Sequence, residues 1–94
     1  MTHNDTSLTI DDFRDLINEA DAILLTALGT RFKGIQFLRR YKKLSGLPIQ
    51  DRAREDVLRD RWKTLARKEG VPEALALLIL DCIIVESKRI QSQQ

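Results

Sequence analysis

Apolar residues recur at helical intervals along most of this chain, and two breaks divide the pattern into three stretches. Ile10, Phe13, Leu16, Ile17, Ala20, Ile23, Leu24, Ala27, Leu28, Ile35 and Leu38 return at roughly the period of one helix face. Thr9 offers a hydroxyl cap and Asp12 an acid in the first turn. Gly29 and Gly34 weaken the pattern locally without ending it, whereas Gly46 and Pro48 end it. The spacing predicts one helix over Ile10 to Leu44, about 50 Å long at 1.5 Å per residue. A helix of that length cannot fold back on itself. Because helices gain most of their stability from packing, a second molecule is the natural source of the missing surface.

Asp51 is placed to cap a second helix, in which Ala53, Val57, Leu58, Trp62 and Leu65 set an apolar stripe among charges. Gly70 and Pro72 make the next break, with Pro72 suited to the first turn of a third helix. That helix runs from about Pro72 to Ile90. Leu75, Leu78, Ile79, Cys82, Ile83 and Val85 make it apolar nearly all round, which predicts burial on most sides. No stretch alternates with period two. The expected class is all-α, a three-helix protomer with a long first helix. Residues 1–8 read as a flexible N-terminal tail, and 9–94 as one helical domain.

Composition narrows the function classes. A 94-residue chain makes one small domain, and 43% hydrophobic content argues against disorder. The net charge is only +2, from 16 basic and 14 acidic residues that are interspersed. Nucleic-acid binding needs a concentrated basic face, so that class is set aside. Cys82 is the single cysteine, which rules out an intrachain disulfide and fits a cytoplasmic protein. Within its apolar stretch it reads as a buried thiol. The single histidine, His3, lies near the terminus, and no His/Cys cluster offers a metal site. The first residues lack an apolar signal core. The apolar run Ala74 to Leu80 stops at Asp81, far short of the roughly 20 residues of a membrane span.

Chemistry-bearing residues are sparse. Lys42 lies eleven residues beyond Arg31, close to three turns, so the two share a face about 16 Å apart along the axis with Leu38 between them. Cations on an apolar face either pair with acids or lay their stems along the core. The functional alternative is an anion held between facing helices, gripped by a guanidinium fork and an ammonium point charge. Arg54 and Glu55 sit in a mixed-charge run from Arg52 to Lys63 that reads as a solvated face. Ser87 and Gln91 are one turn apart on the most apolar helix and can enter one interior; alternatively, Gln91 belongs to a polar tail with Ser92, Gln93 and Gln94. No histidine lies within the helical stretches, where it could serve a serine or cysteine as a general base.

Taken in order, these pieces resemble the all-helical chorismate mutase family. The segments are Phe13-Arg14-Asp15-Leu16-Ile17, Ala20-Asp21, Leu24-Leu25, Leu28-Gly29-Thr30-Arg31 and Tyr41-Lys42. Then come Gly46-Leu47-Pro48-Ile49-Gln50-Asp51, Arg54-Glu55 and Ile84-Val85-Glu86-Ser87-Lys88-Arg89-Ile90-Gln91. The resemblance implies an intertwined homodimeric bundle with two shared sites. The implied reaction converts chorismate, a small dicarboxylate, to prephenate by an intramolecular pericyclic step with no metal, organic cofactor or covalent intermediate.

By the same likeness, Arg14 from the partner and Arg31 bind the substrate carboxylates. Lys42 and Gln91 donate to the ether oxygen. Glu55 holds the substrate hydroxyl, Ser87 assists, and Arg54 with Asp51 supports the polar network. Related activities on this fold are 4-amino-4-deoxychorismate mutase and isochorismate-pyruvate lyase. Glu55 favours the mutases over the lyase, and an amine in place of the hydroxyl also suits a carboxylate. A non-catalytic helical dimer is the remaining alternative, whose sign would be loss of a charged site residue.

Overall fold

A computed structural model describes residues 7–48 and 52–93. The elements are α1 (Ile10–Ser45), α2 (Arg52–Glu69) and α3 (Glu73–Ser92), with no strand among the described residues. The all-α class and the long first helix are as the periodicity predicts. Residues 1–6 of the expected tail, and Asp51 with its expected helix cap, lie outside the described residues.

Each helix end has a local cause. At the start of α1, the Asp12 backbone N–H donates to Thr9 Oγ1 at 3.3 Å, and the Thr9 backbone N–H donates to the Asp12 carboxylate at 2.7 Å. This reciprocal cap satisfies donors that the first turn leaves open. α1 passes through Gly29 and Gly34 and stops before Gly46, whose φ of +70° is left-handed. Leu47 N–H then turns back to the Lys42 carbonyl at 2.9 Å, the long bond of a Schellman cap. α2 ends the same way. Gly70 has φ +72°, and Val71 N–H reaches the Ala66 carbonyl at 2.8 Å. Pro72 is not inside the first turn of α3, as its sequence context suggested. Its ψ of 130° is extended, so it caps a helix that begins at Glu73.

α1 runs through two compact units, Met1–Lys33 and Gly34–Gln94. In the second, α2 packs on α3 across the short Gly70–Pro72 link. Their charge pairs give the direction. Arg67 meets Glu73, Arg59 meets Asp81 and Glu55 meets Lys88, so α3 advances as α2 retreats. Leu80 is completely buried, accompanied by Ala66, Ala76, Ile83, Ile84 and Ile90.

Two expectations are corrected here. α3 is buried along one stripe, while Leu78 and Val85 remain more than half exposed. Cys82 is exposed rather than buried. The cause is shared: α2 packs along one face of α3 and leaves the others uncovered. α1 buries none of its residues, and Phe13, Leu16, Ile17, Ile23 and Leu24 are each more than half exposed. No helix among the described residues is long and apolar enough to cross a membrane.

Candidate active site

The last turns of α1 and α3 bring two of the expected residues into contact. Lys42 Nζ donates to Gln91 Oε1 at 3.1 Å. Lysine has only donors, so the Gln91 amide must offer its oxygen and turn its NH₂ elsewhere. The amide is therefore set to act as a donor toward a further partner. This contact also separates Gln91 from the polar tail, because a half-buried side chain held by α1 is not a solvated one. The Schellman bond on the Lys42 carbonyl fixes the backbone from which the lysine projects. Arg39, Lys42, Lys43, Leu47 and Gln91 line a cavity of about 470 Å³. Three cations with no carboxylate among its described lining residues suit an anion.

One turn before Gln91, Ser87 is buried, and its Oγ donates to the Ile83 carbonyl at 2.7 Å. That bond uses the hydroxyl proton, so toward a ligand the oxygen would act as an acceptor. Glu55, at the start of α2, is half-buried and pairs with Lys88 Nζ at 3.0 Å. These two residues, with Arg52 and Asp56, line a second cavity of about 310 Å³. α3 thus sends Lys88 to one cavity and Gln91 to the other.

The remaining expected residues are placed differently. Arg54 is exposed on α2. Arg14 is exposed on α1, 3.7 Å from Asp11, and Arg31 is half-buried; both belong to the unit Met1–Lys33. Asp51 lies outside the described residues. No group of His, Cys, Asp and Glu suited to a metal ion occurs among the described residues.

Two residues were not singled out by sequence reasoning. Arg39 precedes Lys42 by three positions, a same-face spacing that could have flagged it. Lys88 follows Ser87 directly, yet its pairing with Glu55 depends on the α2–α3 register. Nothing local in the sequence announces that register.

Comparison with known proteins gives three findings. The family model described as chorismate mutase type II matches residues 13–92. Over 82 residues the chain is 28% identical to a chorismate mutase of Methanocaldococcus jannaschii, covering 87% of this chain and 83% of that protein. No solved structure gives a significant match.

Proposed function

We infer the working arrangement from one premise: this chain belongs to the chorismate mutase type II family, and its activity is the family's, rearrangement of chorismate to prephenate. The reaction is intramolecular. An ether C–O bond breaks as a C–C bond forms, and no atom leaves the molecule. The protein therefore has two tasks: holding the substrate in the compact conformer that brings the reacting carbons together, and stabilising charge on the ether oxygen.

Lys42 and Gln91 take the second task in this proposal. Their 3.1 Å contact is the observation that carries it, because it leaves the Gln91 NH₂ to donate beside an ammonium. Arg31 and Arg14 of the partner subunit hold the carboxylates. Glu55 takes the ring hydroxyl, with Ser87 beside it, and Arg54 and Asp51 shape the field. A cytoplasmic setting accompanies this reading, since an exposed thiol such as Cys82 stays reduced there.

The partner is a second copy of the chain, intertwined through α1. Support comes from α1 itself: 36 residues, none buried, with an apolar stripe of large side chains left in water. Contiguous apolar surface of that kind is a mark of an interface. Mixing two inactive variants tests the shared site. An Arg14→Ala chain and a Lys42→Ala chain, unfolded and refolded together, should recover about one quarter of wild-type activity, because half the dimers are mixed and each has one intact site. A mixture that stays inactive would mean that each site is built within one chain.

A further inference from the structure

The Glu55–Lys88 pair differs from the other charge pairs of the hairpin. Lys88 and Glu55 keep 34% and 22% of their side-chain exposure, against 37% and 49% for Arg59 and Asp81. The Glu55–Lys88 pair is the more sheltered of the two. It also borders open space, since both side chains line the cavity of about 310 Å³. Lys88 lies between Ser87 and Gln91 on α3, within the run of residues assigned to substrate.

We propose that Lys88 is a specificity-determining residue: by engaging Glu55 Oε2 it leaves Oε1 for the substrate's ring substituent and makes the site select a hydroxyl over an ammonium. The proposal rests on the reading that Glu55 holds that substituent. A lone carboxylate binds an ammonium more strongly than a hydroxyl, because the bond is then assisted by charge on both sides. At 3.0 Å, Lys88 already supplies the positive charge. A second ammonium brought to the same carboxylate meets a like charge in a half-buried site, where screening is weak. A hydroxyl meets no such repulsion. It can donate to Oε1, and the neutral substituent leaves the ion pair intact. The sequence alone allowed either substituent at Glu55; Lys88 decides between them.

The test compares kcat/KM for chorismate and for 4-amino-4-deoxychorismate in the wild type, Lys88→Met, Lys88→Arg and Glu55→Gln. The ratio of the two values does not depend on how much of a preparation is folded, so a destabilised variant still reports. Wild type should prefer chorismate. Lys88→Met should move the ratio toward the amine by about tenfold or more, the scale of one removed like-charge contact. Lys88→Arg, which keeps the charge, should keep the wild-type ratio. An unchanged ratio in Lys88→Met, alongside a Glu55→Gln variant impaired on chorismate, overturns the role of Lys88 while sparing that of Glu55. A Glu55→Gln variant as active as wild type overturns both.

Discussion

Lys42 carries three N–H donors, and the Gln91 amide oxygen takes one of them at 3.1 Å. An ether oxygen that gains charge as its C–O bond breaks is a stronger acceptor in the transition state than in the ground state, so a donor placed there acts mainly on the chemical step. Lys42→Ala is expected to lower kcat about 10²–10³-fold, with a much smaller change in KM. Steady-state kinetics on chorismate checks this. An unaltered kcat with a raised KM would move Lys42 to plain substrate binding. The substitution also releases the Gln91 amide, whose orientation depends on a neighbour that can only donate.

At the scale of elements, the α2–α3 hairpin is closed beside its turn by Arg67 and Glu73. Arg67 Nε donates to Glu73 Oε2 at 2.7 Å, and Nη2 donates to Oε1 at 3.3 Å. The hydrogen bond from Arg67 holds the Glu73 carboxyl below its usual range, outweighing the opposing effect of burial. Because the folded value is depressed, the contribution to stability is complete above the ordinary glutamate range. It is lost as pH falls through the folded value. Melting curves across an acid series should therefore show Tm falling less steeply in Glu73→Gln than in the wild type. The effect is small, since the pair is largely exposed to solvent. Equal acid slopes in the two proteins would show that the pair contributes nothing to the hairpin.

For the whole molecule, the decisive surface is that of α1. Ile17 is 59% exposed in the single chain. In an isolated chain, Ile17→Glu would change stability by no more than about 0.5 kcal/mol, as surface substitutions usually do. If a second copy covers this stripe, the same change places a carboxylate in an apolar interface, where an unpaired charge is strongly disfavoured. The expected outcome is a lower Tm that depends on protein concentration, together with a shift from dimer to monomer in sedimentation velocity. A Tm and a mass equal to those of the wild type would show that this face of α1 stays in water. Carboxylate binding by Arg14 of the partner subunit would then lose its physical basis.

The sequence by itself determined the three helices, the start of α1 and the glycine-marked ends of α1 and α2. Those depend on contacts within a few residues: Thr9 with Asp12, the left-handed glycines Gly46 and Gly70, and apolar positions at the helical period. It also determined the family, because that likeness is a matter of residue order along Phe13 to Gln91. It misjudged Pro72, which precedes α3 and does not open its first turn. It also misjudged Cys82 and the burial of α3, since apolar composition says that a face seeks cover without saying which face a neighbour reaches. Only the tertiary structure decided that Lys42 meets Gln91 and that Lys88 meets Glu55. Both pairs join residues remote in sequence, and their meeting follows from how the helices are registered against one another, an energy summed over packed side chains that no local pattern encodes.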